Sequence, residues 1–226
     1  MALIPRTWAQ IKTQLQAQIE QNTDTPDADD AAYWLVVANR LIVDWENGAW
    51  DAGDIPEWEE LWTTETSGGT IAVGDADYAL ASNVNYLGEN VELHYTNGSI
   101  EYLPVIKAFQ KQAYVQEGAR FCFITGKPGT KILNLSWTPT SADGAIGATI
   151  KFPYYKYADG LSADADVVEM SNPNWLVDAI TSEVSNSVNK KALFGNRAQA
   201  IFLKMRNAND RAQDQTVDDD ELGFGI

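Results

Sequence analysis

One histidine and one cysteine supply the only imidazole and thiol groups in this 226-residue chain, so their positions limit its nucleophilic and metal chemistry. His94 alternates with Leu93 and Tyr95 in a strand-like segment, and Cys122 lies in the apolar run FCFIT. A zinc site needs several nitrogen or sulfur ligands, and a nucleophilic cysteine needs a base beside it. We therefore expect His94 on a sheet face and Cys122 buried as a small hydrophobic residue, with neither of them catalytic.

Carboxylates are abundant, with 32 Asp and Glu residues, and they cluster in Asp24–Asp30, Asp159–Asp166 and Asp218–Glu221. None of these clusters has the spacing of a calcium-binding EF-hand loop. A glycosidase needs two carboxylates facing each other across a cleft, which spacing along the chain does not reveal. The sequence favours solvated acidic loops, with no catalytic residue, metal ligand or cofactor. Calcium binding and glycoside hydrolysis are the alternatives.

The loop Gly126–Thr130 superficially resembles a phosphate-binding loop. Its sequence, GKPGT, lacks the spacing of that motif, and Pro128 has no backbone N–H to offer an anion. Pro-Gly is a common turn signal between strands. We therefore predict an ordinary turn between strands at 121–125 and 131–137.

The 8 tryptophans exceed what packing alone requires in a chain of this length. Trp50, Trp58 and Trp62 lie in a connection rich in glycine and acidic residues, where the apolar pattern does not indicate burial. Tryptophans of this kind anchor protein partners or stack on sugars. We favour a neighbouring subunit as their partner. The tryptophans that apolar periodicity assigns to the core are Trp8, Trp34, Trp45, Trp137 and Trp175.

The formal net charge of −16 and the isoelectric point near 4.3 argue against a nucleic-acid-binding surface, because phosphate contacts require clustered Lys and Arg. No apolar run approaches the roughly 18 residues of a membrane-spanning helix, and the start of the chain does not have the pattern of a signal peptide. The hydrophobic fraction of 45% is that of a folded protein.

Helical patterns occupy both ends of the chain. Thr7 and Gln10 form a capping-box pattern that starts a helix reaching about Ile19. A second helix begins near Asp29 or Asp30 and stops at Asn47-Gly48, and Pro56 introduces a short helical piece. Two further helices are predicted over 173–190 and 196–213. We expect the first two and last two helices to share one core, formed by Trp8, Leu15, Leu35, Leu41, Leu176, Ile180, Ile201 and Phe202.

The middle of the chain changes to short β-prone runs bounded by turns, with a hairpin signal at Asn97-Gly98. The predicted strands are 70–73, 78–80, 90–95, 100–103, 121–125, 131–137 and 148–155, and 107–116 is either helix or loop. The predicted fold class is α+β, a discontinuous helical bundle with a central β-rich insert. The helical bundle spans 1–66 and 158–214, and the insert spans 67–157.

The last predicted segment is an extended acidic arm over 215–226. Leu222, Phe224 and Ile226 alternate with other residues after four consecutive acids, and such a segment buries too little apolar area to order itself. We expect these three residues to lie on another subunit or partner, and the alternative is that the tail folds back on its own helices.

The stretch TIKFPYYKYADGLSADADVVEMSNPNWLVDAITSEVSNSV, from Thr149 to Val188, joins a Tyr-rich strand to a helix through an acidic spacer. This order resembles the hinge of head-to-tail adaptor proteins of tailed bacteriophages. The end of the second helix, LIVDWENGAW, and the turn at Asp75–Leu80 are also similar to that family. The middle of this chain is longer than in the minimal all-helical adaptors.

The resemblance implies a virion structural protein of the neck, made in the host cytoplasm. It implies a homo-oligomeric ring of about twelve copies that contacts the portal protein and tail or nozzle proteins. DNA would pass through its lumen without specific binding, and no membrane would be involved. The alternatives are a β-sandwich carbohydrate- or receptor-binding tail module and a glycoside hydrolase that uses paired carboxylates.

Overall fold

The structure is a computed structural model that describes residues 5–19, 28–50, 56–107, 110–116 and 119–218. Its helices are α1 (Trp8–Ile19), α2 (Ala28–Glu46), α3 (Lys111–Gln116), α4 (Asn174–Val184) and α5 (Val188–Asp218), with a short 3-10 helix at Glu59–Leu61. Its strands are β1 (Trp62–Thr70), β2 (Asp77–Ala79), β3 (Val84–Leu87), β4 (Asn90–His94), β5 (Ile100–Ile106), β6 (Cys122–Thr125), β7 (Ile132–Leu135) and β8 (Thr149–Lys156). The expected mixture of helices and sheet is confirmed.

The described strands form one sheet in the order β1-β8-β4-β5-β6-β7-β2, and β3 also pairs with β8. Strand β8 organises one half of the sheet, because β1 pairs along one of its edges while β4 and β3 share the other. Gly98 has a φ of 85° in the turn between β4 and β5, as the Asn-Gly signal predicts.

The described chain divides into two compact units. One contains the residues up to Glu60 together with those from Ala158 onward, and the other contains Leu61–Tyr157. In the first unit, α4 packs against α1, α2 and α5. The consecutive residues Trp175–Thr181 are all buried, so neighbouring elements cover α4 on every side.

Most of the predicted helical-core residues are buried: Trp8, Leu15, Leu41, Leu176, Ile180 and Phe202. Leu35 and Ile201 are only half-buried, because Trp34 and Phe202 point to the centre of the packed faces. The main core of the second unit lies on the inner face of the sheet and includes Val91, Leu93, Ile150 and Phe152.

The ends of the first two helices follow the sequence signals. Gln10 Oε1 accepts a hydrogen bond from the Thr7 N–H at 3.0 Å, and the Gln10 N–H donates to Thr7 Oγ1 at 3.4 Å. This confirms the capping box, which satisfies backbone donors that the first helical turn leaves free. Gly48, with a φ of 66°, takes the left-handed conformation just after α2.

The segment after Pro56 differs from its prediction. Helix is limited to Glu59–Leu61, and β1 runs over Trp62–Thr70 where a strand over 70–73 is predicted. Threonine favours extended backbone, and β8 supplies the pairing partner that local sequence does not reveal. Gly68 suits this pairing because a Cβ there would lie 2.6 Å from Phe152 Cε1. Strand β3 is likewise absent from the prediction, since four residues between turns carry little periodicity.

The last two helices meet at a different place from the one predicted. Ser185 is extended, with φ −63° and ψ 136°, and ends α4. Ser187 Oγ accepts a hydrogen bond from the Lys190 N–H at 3.4 Å at the start of α5, a capping role that serine favours. Gly195 lies inside α5, where a Cβ would come 3.0 Å from Ser182 Oγ, so close helix packing explains this glycine. Helix α5 extends to Asp218, so residues 215–218 of the predicted arm are helical.

Candidate assembly surfaces

The first two tryptophans predicted as interface residues belong to the helical unit. Trp58 is 1% exposed and stacks on Trp45 with ring centroids 5.0 Å apart. Its Nε1 donates a 3.0 Å hydrogen bond to the Trp45 carbonyl oxygen, so the prediction that Trp58 is a surface anchor is wrong. Trp50 is half-buried, with its ring edge-on to Trp175 at a centroid distance of 5.3 Å.

Trp62 is the exposed member of the three, with 39% of its surface accessible. Its ring packs against Tyr155 at a centroid distance of 4.6 Å, and Tyr155 stacks on Tyr86 at 4.6 Å. We call Trp62, Tyr86 and Tyr155 the aromatic cluster. Because the two tyrosines are half-buried and stacked on each other, Trp62 offers the largest free aromatic surface of this cluster.

The other predicted interface residues, Leu222, Phe224 and Ile226, lie outside the described residues. Their placement on a partner stays a prediction.

The acidic spacer, residues 158–173, is held along its length within the helical unit, and we call it the acidic strap. The Trp8 and Ala9 N–H groups donate to the carbonyl oxygens of Asp166 and Asp164 at 2.8 and 3.0 Å. These contacts satisfy donors at the start of α1. The Val168 N–H also donates to the Arg6 carbonyl oxygen at 3.0 Å. The strap is therefore tied to the first helix and does not behave as a free linker there.

A second set of contacts ties the strap to α2. The Asn39 side chain donates to the Leu161 carbonyl oxygen at 2.9 Å and accepts from the Leu161 N–H at 2.7 Å. The Ala158 N–H donates to Glu46 Oε2 at 3.1 Å. Leu161 itself is buried. The strap thus crosses the helices with a buried apolar anchor and paired backbone groups.

A shallow groove of about 510 Å³ lies along the strap, and its lining includes the carboxylates of Asp159, Asp166 and Glu169. Asp166 Oδ2 accepts hydrogen bonds from the Ser162 and Ala163 N–H groups at 2.6 and 2.7 Å. These bonds hold the pKa of Asp166 below its usual value. A general acid requires the opposite shift. Within the part of the chain that the structure describes, no group of three or more metal-ligating side chains has a geometry able to hold a metal ion.

The histidine and the cysteine occupy the sheet, as predicted. His94 is half-buried in β4, with Nε2 2.6 Å from Glu92 Oε2 on the same strand. Cys122 is buried in β6, and burial raises the pKa of its thiol to about 12. A thiol with such a pKa is almost entirely protonated at neutral pH and is a weak nucleophile.

The loop Gly126–Thr130 is the predicted turn between β6 and β7. The Thr130 N–H donates to the Lys127 carbonyl oxygen at 2.9 Å, closing the turn. Gly126 has a φ of 99°, and a Cβ there would lie 2.4 Å from the Thr130 carbonyl oxygen. The glycine is required by this close approach of backbone to backbone.

A polar network in the second unit is not indicated by the sequence, because its members are widely separated. Arg120 Nη2 lies 2.9 Å from Asp143 Oδ1, and its guanidinium stacks over Trp137 at 4.5 Å. Trp137 Nε1 donates to Asp143 Oδ2 at 2.8 Å, and the pKa of Asp143 is lowered, first by a hydrogen bond from the Ala145 N–H and then by Arg120. The network fixes the loop that precedes β8.

Apolar side chains also occupy the outer faces of two helices in the first unit. Val36, Val43 and Tyr33 are exposed on α2, opposite its buried face. Leu193 and Leu203 are exposed in the same way on α5. A helix that is apolar on two faces usually packs on both. The apolar pattern of each helix predicts a single core face. The exposed apolar residues form a separate set, and their own spacing of three and four residues is the signal that distinguishes them from the core face.

None of the described helices is long and apolar enough to span a membrane. Comparison of the chain with models of known protein families gave no match. A search among curated proteins found no significant relative.

Proposed function

We propose that this chain is a structural virion protein, an adaptor that forms a ring between the portal and the tail of a bacteriophage and lines the DNA exit channel. The observation that carries the proposal is which parts of the chain form the helical unit. Helices from both ends of the chain form one compact unit, while Leu61–Tyr157 form a β-rich unit of their own. A discontinuous helical bundle with a central β insert is the organisation that the resemblance to phage adaptors implies.

The charge of the protein supports passage of DNA without binding. The chain has a formal net charge of −16, and the acidic strap exposes Asp159 and Asp164. Carboxylates facing a channel repel phosphate groups, so a duplex slides past without sequence-independent adhesion. The acidic residues of the strap are suited to such a channel wall. Under this proposal the protein repels DNA and makes no specific contact with it.

Assembly, and not catalysis, is the activity under this proposal. The lowered pKa of Asp166 disfavours a general acid in the groove, and the raised pKa of Cys122 disfavours a thiolate nucleophile. Exposed apolar side chains on α2 and α5 are instead suited to burial against other subunits, the portal or the tail.

A second candidate is a carbohydrate- or receptor-binding module, which the exposure of Trp62 favours. Indole faces stack on sugar rings, and the aromatic cluster holds this indole in place. A glycan-binding screen of the wild type and Trp62→Ala discriminates the two candidates. Glycan binding that disappears in the variant supports the carbohydrate-binding module, whereas the absence of binding by either protein favours the adaptor function.

The test of the proposed function is binding to the portal protein encoded with this chain. Purified portal rings are mixed with the chain and separated by sedimentation, and a portal from an unrelated phage serves as the control. We expect about twelve copies of the chain to sediment with its own portal and none with the control. Equal recovery with both portals, or none with either, contradicts the proposal.

A further inference from the structure

Exposed residues on the outer faces of α2 and α5, all apolar except Arg40 and Asn196, have the spacing of helix-packing seams. On α2 the outer positions are Tyr33, Val36, Arg40 and Val43, each three or four residues after the last. On α5 they are Leu193, Asn196, Ala200 and Leu203, with the same alternation of three and four. This is the pattern of residues that interlock when two helices pack side by side. We call these two sets the α2 seam and the α5 seam.

Both seams are open to solvent in one copy of the chain. Val36 is 68% exposed and Leu193 is 56% exposed, and every other residue of both seams is also exposed. The opposite faces of the two helices are already packed, with Leu41 and Phe202 buried. Each seam extends over ten residue steps, or about 15 Å of helix.

Charges flank the two seams with opposite sign. Asp30 and Asp44 lie beside the α2 seam, fourteen positions apart. Lys190, Arg197 and Lys204, which we call the basic row, lie beside the α5 seam at intervals of seven, in a protein whose net charge is −16. Within one copy Arg197 also lies 3.2 Å from Asp178, and Arg40 of the α2 seam pairs with Glu183. If two α5 seams packed together, their basic rows would repel each other. An α2 seam instead places Asp30 and Asp44 against the basic row of α5.

The position of these charges also sets the direction of packing. Asp30 and Lys190 lie three residues before the first position of their seams, and Asp44 and Lys204 lie one residue after the last. In both helices these charges therefore lie along the same edge of the seam. When two helices pack antiparallel, these equivalent edges face each other, and charges on the facing edges determine orientation. Asp44 then lies near Lys190 or Arg197, and Asp30 lies near Lys204.

We propose that the α2 seam of one copy packs antiparallel against the α5 seam of a second copy. The two seams are different surfaces, so each copy offers one to each neighbour and the contact repeats head to tail. The inference rests on the proposed ring and names the surfaces that close it.

The contact is tested by disulfide trapping with full-length single-cysteine additions. Val43→Cys and Leu193→Cys face each other in the antiparallel pairing, whereas Val43 and Leu203 do so in a parallel one. Leu203 lies ten positions after Leu193 in α5, about 15 Å along the helix, which exceeds the reach of a disulfide. The native Cys122 is buried, so wild type under the same oxidant provides the background.

We expect an oxidised mixture of V43C and L193C to convert to a covalent dimer, while V43C with L203C, and each variant alone, stay at background. The double variant V43C/L193C should give a ladder above the dimer. Trapping of V43C with L203C, or of one variant with itself, overturns the antiparallel heterologous pairing. No trapping in a preparation whose mass shows a ring overturns the pairing and leaves the proposed function standing. A ladder that stops at the dimer overturns head-to-tail repetition and counts against the ring. A protein that stays monomeric and untrapped, both alone and with its portal, overturns the pairing and the proposed function.

Discussion

Trp58 stacks on Trp45 at a centroid distance of 5.0 Å and donates its indole N–H to the Trp45 carbonyl oxygen at 3.0 Å. The ring also meets Phe202 edge-on at 5.6 Å, which links the chain before β1 to α5. Trp58 therefore stabilises the helical unit from inside, while Trp62, four residues later, stays on the surface of the sheet.

Replacing Trp58 by Ala should lower the free energy of unfolding by about 3–5 kcal/mol, because a large buried ring and a buried hydrogen bond are lost together. Urea titration followed by circular dichroism measures the change. Trp62→Ala is the matched control and should cost much less, since its ring is partly in water. Equal losses for the two variants would contradict the assignment of Trp58 to the core.

Asp178 gives the helical unit a characteristic pH dependence. Burial raises the pKa of this carboxyl above its usual value, and Arg197, 3.2 Å away, only partly offsets the effect. The folded protein therefore holds this proton more tightly than the unfolded chain. The stability that the protonated group contributes is present below pH about 4 and is lost as pH rises through the folded pKa.

Asp178→Asn should remove that loss, since an amide does not ionise. The free energy of unfolding, measured from about pH 4 to 8, should fall less steeply in the variant than in the wild type. Arg197→Met should steepen the wild-type decline by removing the charge that favours the carboxylate. Identical pH profiles for wild type and Asp178→Asn would refute the raised pKa.

Gly126→Ala should destabilise the sheet unit by about 1–3 kcal/mol, because the residue has a φ of 99° and the new Cβ would meet the Thr130 carbonyl oxygen. Gly144→Ala is the control, with no atom within 4 Å of the new Cβ and no left-handed φ. Thermal melts compare the two. A destabilisation of Gly144→Ala equal to that of Gly126→Ala would contradict the turn geometry.

Val36→Lys should abolish assembly without unfolding the chain. Val36 lies in the α2 seam and is exposed, so the change should alter stability by no more than about 0.5 kcal/mol. The added ammonium would lose its hydration against the α5 seam of the next copy, which the basic row flanks, whereas the native Arg40 of the α2 seam pairs with Glu183 of its own copy. Val73→Lys, at an exposed valine of the sheet unit, is the control and should assemble as wild type does. Native mass spectrometry measures both, and assembly of Val36→Lys would count against the seam.

Local signals predict much of the fold. The Thr7–Gln10 capping box, Gly48 and the Asn97-Gly98 turn act over three or four residues, and the structure has all of them. Elements whose stability comes from distant partners are harder to predict. Strand β1 depends on β8, and Gly195 is tolerated inside α5 because Ser182 lies close against it.

The candidate surfaces also include some features with local sequence signals and others that depend on distant partners. The exposure of Trp62 and the burial of Cys122 agree with their sequence surroundings. The burial of Trp58 does not, because the connection around it has no apolar periodicity and its partners, Trp45 and Phe202, are far away in sequence. The two seams become visible only when the structure shows which apolar face of each helix is already packed.

The most direct test of the central claim is the mass of the purified wild-type protein, measured by native mass spectrometry alone and with its portal. A chain of 24.9 kDa that forms the proposed ring should give a closed species of about twelve copies, alone or on the portal. A protein that stays a 24.9 kDa monomer in both preparations would contradict the adaptor function.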